Sequence, residues 1–247
     1  MSGTAVDMTE LRERVAKACR VLGKLDLTNH ILGHVSMRVP GTDTVLIRAR
    51  GPAQSGVRFT KAKDVITVDL NGRKVEGTAG LDAPNEVFIH TWLYRTRPEV
   101  NAVLHAHPAT TVLFTCCDKP LLPLYGAYDP GSLRLVRDGI PMFPRSVLVA
   151  DDAIGEEFAA TFKQGRACLM YGHGITTCGA SPEEVTLTAI SLNNLAEMNY
   201  RAHVLGGAKA IPPEDMEALS NLAENRGKEA RDTPIWRYYC ELLGEEP

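Results

Sequence analysis

A single turn signal constrains this chain most. Residues 64–70, DVITVDL, are a β-branched run that meets Asn71-Gly72 and then a second extended run, RKVEG. Asn-Gly between two such runs is the strongest short-range signal for a β-hairpin, so at least one strand pair is antiparallel. VSMRV (35–39) and TVLIRA (44–49) read as further strands. Helical patterns surround them. Leu11, Val15, Ala18, Cys19 and Leu22 share a helix face, with Asp7 as cap and Gly23 as stop. A helix is predicted from Pro84 to Arg97, capped by Asp82, and another from Asp151 or Asp152 to Lys163. Ser181-Pro182-Glu183-Glu184 combines an N-cap, a first-turn proline and a capping-box glutamate, and opens the longest helix, ending at Gly206-Gly207. Shorter helices are expected over 109–116, 213–226 and 234–243. VNAVLHAH (100–107) and ACLMY (167–171) read as buried strands, and the proline-rich stretch 119–150 as irregular with short strands. Hairpin-linked strands among helices mean an α/β chain with a largely antiparallel sheet, not a strict βαβ alternation.

The 247 residues suit one domain spanning 1–247, since no linker forces a boundary. A net charge of −3 gives no electrostatic case for nucleic acid or an anionic membrane. No apolar run resembles a signal peptide or a membrane span. Six scattered cysteines without a CxxC pair are expected to be buried free thiols in the reduced cytoplasm.

The chemistry is expected at AVLHAHP. His105 and His107 lie at i and i+2, so on a strand both rings face one side and can converge on one ion. The alternative is a solvated strand face, but the apolar neighbours Ala102, Val103 and Leu104 argue against it. His173 in YGHGITT sits between glycines, which permit a sharp turn that exposes the ring; taken alone it is a turn histidine near the surface. Glu86, in the first turn of the helix before the HxH strand, adds a carboxylate, or else only answers the helix dipole. His90, four residues on, shares its helical face and reads as a packed helix histidine.

Glu86, then HxH nineteen residues later, then a glycine-flanked histidine, together with GHVSMR and NEVFIHTWLYRTRPEVNAVLHAHP, resemble the class II aldolase/adducin family from about Leu11 to Leu205. The resemblance implies a three-layer αβα sandwich around a largely antiparallel central sheet. It implies a divalent cation, Zn2+ or Mn2+, on His105, His107 and His173, with Glu86 as a further ligand or as acid/base. It also implies a homotetramer with sites between subunits, in which the C-terminal helices of 213–243 could contribute; a packed terminal helix is the plainer alternative.

The branch is read from departures. Where sugar-phosphate aldolases of the family resemble T-x-G-N-x-S, this chain has Ile31-Leu32-Gly33-His34-Val35-Ser36; their second phosphate-binding piece is replaced by Arg48-Ala49-Arg50-Gly51, and their serine pair by Pro84-Asn85. His34, Ser36, Arg48, Arg50, Gly51 and Arg58 are therefore the candidate contacts for an anionic, non-phosphorylated small-molecule substrate, because arginine forks suit carboxylates. The chain resembles the branch of lyases that decarboxylate hydroxylated aromatic dicarboxylates such as 3,4-dihydroxyphthalate. An aldolase or epimerase acting on a sugar derivative is the alternative, and a non-catalytic scaffold like adducin the third. The branch choice requires Arg48 and Arg50 to face the cavity. Tyr125 and Tyr128 read as packing residues that could instead line the substrate ring.

Overall fold

The computed structural model describes residues 7–117, 119–124, 129–137, 139–224 and 230–247. Its strands are β1 (His34–Arg38), β2 (Thr44–Arg48), β3 (Val65–Asp69), β4 (Lys74–Glu76), β5 (Ala102–Ala106), β6 (Met142–Phe143), β7 (Ala167–Met170) and β8 (Gly174–Gly179). Its helices are α1 (Met8–Lys24), α2 (Val87–Thr96), α3 (Ala109–Cys116), α4 (Pro130–Arg137), α5 (Asp152–Phe162), α6 (Pro182–Val204), α7 (Pro213–Glu224) and α8 (Pro234–Leu243). The strands form one eight-stranded sheet in the order β4-β3-β2-β1-β5-β8-β7-β6. Every pairing is antiparallel except β6 with β7.

Strand alternation divides the core into two layers. Val35, Met37, Leu46, Leu104 and Ile175 pack with α1, α6 and α8 through Val15, Leu22, Leu192 and Trp236. Val45, Ile47, Ile66, Val103 and Met170 pack on the opposite face with α2 and α5 through Ile89, Leu93, Phe158 and Phe162. The αβα sandwich and its largely antiparallel sheet are as expected. No helix among the described residues is long and apolar enough to cross a membrane.

The caps explain where helices begin. The Asp7 carboxylate accepts from the Thr9 and Glu10 amides, and the Ser181 hydroxyl accepts from the Glu184 amide. Glu184 reaches back to the Ala180 amide instead of that of Ser181. Gly23 does not stop α1: the helix continues to Lys24, and a Cβ on Gly23 would lie 2.7 Å from Arg58 Cα. The glycine instead lets the turn carrying Arg58 approach. Helix α2 starts at Val87, later than expected, because Asp82 is held in an isolated bridge to Arg50 and Glu86 becomes the N-cap residue. The stretch 119–150 contains α4, which its prolines concealed, and the two-residue β6. Cys116 and Cys117 are exposed, whereas the other four thiols are buried; all six are free. Tyr125 and Tyr128 lie outside the described residues.

Candidate metal centre

The central pair β1–β5 sets His34 directly opposite His105, and β8 sets Thr176 opposite His105 on the other side. His105 is fully buried, and its Nδ1 lies 3.0 Å from the Ile175 carbonyl oxygen. A carbonyl only accepts, so Nδ1 carries a hydrogen, and Nε2 is the nitrogen turned toward the cluster. His107 sits just beyond the end of β5, yet its Nε2 comes within 3.0 Å of His105 Nε2. Thr28 Oγ1 lies at the other edge of the His107 ring, 3.4 Å from Nδ1, a long contact.

His173 enters from the β7–β8 turn. Gly172 there has φ +58°, a conformation that favours glycine. Gly174 serves a different purpose: a Cβ on it would lie 2.4 Å from the Ala106 carbonyl oxygen and 2.9 Å from His107 Cδ2. The two flanking glycines thus act separately, one turning the backbone and one clearing space for the rings.

Glu86 closes the cluster from the N-terminal end of α2. Its Oε1 accepts from the Val149 amide at 3.1 Å and lies 3.5 Å from His173 Nε2. Its Oε2 lies 3.5 Å from His105 Nε2. Burial opposes ionisation of Glu86, but its contacts with His105 and His173 outweigh that and hold the carboxyl well below its usual range. Burial pushes the His107 pKa down to about 3, helped by His105 and His173, so its ring is neutral near pH 7.

One ligand atom from each of Glu86, His105, His107 and His173 lies within 4.8 Å of the others. Two nitrogens bound tetrahedrally to one zinc at its usual bond length stand roughly 3.3 Å apart. The 3.0 Å and 3.5 Å separations here bracket that value. Neutral imidazoles and an ionised carboxylate are the forms that ligate a metal. The donor set therefore fits a divalent cation.

The other candidate contacts separate. His34 adjoins the cluster, its ring centroid 5.2 Å from that of His105. Ser36 is fully buried and bonds to His90 and Tyr94, which places it behind His34 and not in direct reach of a ligand. Arg48 is 2% exposed; its guanidinium donates to the carbonyls of Ile31, Gly33 and Ser55 and to Thr60 Oγ1. That fork is a structural tie for the loops around it, which corrects the expectation that it holds substrate. Arg58 lines an open groove with Glu13, Arg20, Phe59 and Glu245, apart from the histidines. Arg50 stays exposed: its Nε donates to the Ala83 carbonyl, and its terminal nitrogens have no partner among the described residues. Gly51, at φ +138°, lies against the Gly80 carbonyl, where a Cβ would stand at 2.4 Å.

Sequence reasoning overlooked two things. His90 is indeed packed and fully buried, but it also bonds to His34, with Tyr94 one turn farther along α2. The 86–90–94 spacing was the available signal, since those positions stack on one helical face. The Val149 amide left no signal, because a backbone donor is set by the path of the chain alone.

Comparison with known proteins agrees with this geometry. Residues 13–200 match the model of the Class II Aldolase and Adducin N-terminal domain. The chain is 38% identical over 231 residues to a 3,4-dihydroxyphthalate decarboxylase of Arthrobacter keyseri, covering 92% of this chain and 91% of that one. It is 36% identical over 238 residues to a protein of the same name from Terrabacter, covering 94% and 97% respectively. Among solved structures, L-fuculose 1-phosphate aldolase from Glaciozyma antarctica superposes with a TM-score of 0.80 at 20% identity, over all of this chain and 96% of that one. An eight-stranded αβα sandwich, three converging imidazoles and a family model spanning most of the sequence lead to one assignment: the chain belongs to the class II aldolase and adducin family.

Proposed function

We propose that this class II aldolase-family lyase is a divalent-metal-dependent decarboxylase of a hydroxylated aromatic dicarboxylate such as 3,4-dihydroxyphthalate. The observation that carries the reading is 36–38% identity, over more than nine-tenths of the chain, to two proteins bearing that name. The complete Glu86, His105, His107 and His173 set supports catalysis over a scaffold role. Arg48 does not meet the requirement that it face the cavity, because its guanidinium is engaged by loop carbonyls and Thr60; the branch reading therefore rests on the similarity to those two proteins and not on the arginines.

His105, His107 and His173 would hold the metal, and Glu86 would serve as a further ligand or as acid/base beside it. When bound, a divalent ion supplies Lewis-acid stabilisation of negative charge on the oxygen next to the breaking bond. Glu86, anionic as found, takes the proton of the substrate's phenolic hydroxyl and delivers it to the ring carbon that bears the leaving carboxylate. The carbon–carbon bond then breaks, carbon dioxide departs, and its electron pair restores the aromatic ring. The phenolate recovers a proton from water. His34, beside the cluster, holds the second carboxylate; Arg50, whose terminal nitrogens are unengaged among the described residues, remains a candidate contact for the substrate elsewhere. The reading includes a single domain, a cytoplasmic location and assembly as a tetramer, with exposed Ile235 and Tyr238 of α8 supporting a C-terminal contact.

The test is incubation of purified protein with 3,4-dihydroxyphthalate after stripping with EDTA and reloading with Zn2+ or Mn2+. Carbon dioxide release that requires the metal is the expected result. Aldehyde release from L-fuculose 1-phosphate, without carbon dioxide from the dicarboxylate, would overturn it in favour of an aldolase.

A further inference from the structure

Behind His34 runs a buried hydrogen-bond chain that the decarboxylase reading leaves without a task. His34 Nδ1 lies 2.7 Å from His90 Nε2, His90 Nδ1 lies 2.6 Å from Ser36 Oγ, and Ser36 Oγ lies 2.7 Å from the Tyr94 hydroxyl. Ser36 and His90 are fully buried, and Tyr94 is 2% exposed. The chain links β1 to two successive turns of α2, the helix that also positions Glu86.

The direction of this chain follows from counting hydrogens. Burial keeps the Tyr94 phenol protonated; its oxygen meets the Val103 backbone, a contact that favours the ionised form and so donates to it, and Ser36 Oγ is the side chain within reach at 2.7 Å that can accept its hydrogen. Tyr94 therefore donates to Ser36. The serine hydroxyl has one hydrogen and two acceptors on offer: His90 Nδ1 at 2.6 Å and the Val103 carbonyl at 3.4 Å. Hydrogen bonds from hydroxyl groups fall between about 2.5 and 3.0 Å, so the hydrogen goes to His90. His90 then carries its own hydrogen on Nε2 and donates to His34 Nδ1. His34 Nδ1 then accepts, so the ring carries its hydrogen on Nε2, the nitrogen that this chain leaves unused.

We propose that Tyr94, Ser36 and His90 are positioning residues that fix the tautomer of His34, so that its Nε2–H is a neutral donor for a carboxylate of the substrate beside the metal centre. The inference rests on the decarboxylase reading for the ligand's identity, but not for the proton order. A neutral donor suits this place. It orients an anion without adding a second cation next to the metal, and a chain satisfied at every link keeps the ring from flipping to present a lone pair. Reversing the order would set a lone pair against the carboxylate and repel it.

Two measurements test it. Nitrogen NMR of the full chain with 15N-labelled histidine, loaded with Zn2+, should place hydrogen on Nε2 of both His34 and His90. A hydrogen on Nδ1 of either ring overturns the proposal, whatever the substrate is. In turnover assays with 3,4-dihydroxyphthalate, Ser36→Ala should raise KM about tenfold, the loss of one hydrogen bond to a charged group, with a smaller change in kcat and unchanged metal content. Ser36→Thr, which keeps the hydroxyl, should restore KM. An unchanged KM in Ser36→Ala, or no rescue by threonine, refutes the positioning role. Failure of the wild type to turn over this substrate, with the expected tautomers seen by NMR, defeats the decarboxylase reading and leaves the proton order standing.

Discussion

Gly174→Ala removes none of the four candidate ligands and should nonetheless damage the candidate metal centre. The new Cβ would stand 2.4 Å from the Ala106 carbonyl oxygen, 2.9 Å from His107 Cδ2 and 3.2 Å from His105 Cε1. Gly174 is not in the left-handed region, so the effect is one of space, not of backbone strain. Neither the carbonyl nor the rings can yield freely, because Ala106 and Ile175 are register partners in the central sheet. Ordinary carbon–oxygen contact begins near about 3.3 Å, so the two strands must part by close to an ångström. Ligand distances at a metal tolerate only about ±0.2 Å. Overpacking of this kind costs about 1–3 kcal/mol. In a chain of this size that lowers Tm by roughly 2–4 °C for each kcal/mol. Displacing the His105 and His107 rings should weaken metal binding about 10–100-fold, comparable to the loss of a supporting hydrogen bond around a metal. Thermal melts in EDTA isolate the packing cost, and competition of Zn2+ against a chromophoric chelator reads the affinity. A variant with wild-type Zn2+ affinity and wild-type melting would refute the account of why this position is glycine.

Arg48→Met should lower stability by about 2–3 kcal/mol, since the buried Gly33 carbonyl loses its donor at about 1–3 kcal/mol and the part-buried Ile31 and Ser55 carbonyls, which can turn to water, add less. Urea midpoints measure this; a loss below about 1 kcal/mol would restore Arg48 as a residue free to serve substrate. Glu183→Gln breaks a two-pronged pair with Arg14, both contacts at 2.8 Å, in which the glutamate side chain is 2% exposed. A cost of about 3 kcal/mol is expected near pH 7, the low end for a broken buried pair, because Arg14 is partly exposed. Burial opposes ionisation of Glu183, but Arg14 prevails and holds the folded-state pKa below the ordinary value of 4.5. Its stabilisation is therefore fully present above the unfolded-state value and fades as pH falls through the folded one. The gap between wild type and variant should accordingly narrow below about pH 4.5; a gap that stays constant down to pH 3 would contradict this sign.

Local chemistry made much of this protein legible from its sequence. Asp7 and Ser181 cap their helices because a short polar side chain meets amides two or three residues on. The Asn71-Gly72 hairpin forms because Gly72 takes φ +78°. The i, i+2 spacing implied that the rings of His105 and His107 share one side, and the order of Glu86, HxH and His173 marked the candidate ligands before any contact was known. The tertiary structure decided what depends on groups remote in sequence. Arg48 looked like a substrate fork until carbonyls of Ile31, Gly33 and Ser55 closed around it, and no pattern along β2 announces a carbonyl arriving from another loop. Ser36 and His90 read as a separate strand residue and helix residue until the sheet laid β1 beneath α2 and joined them. Periodicity reports which side a residue faces; what it meets there is set by how the chain packs.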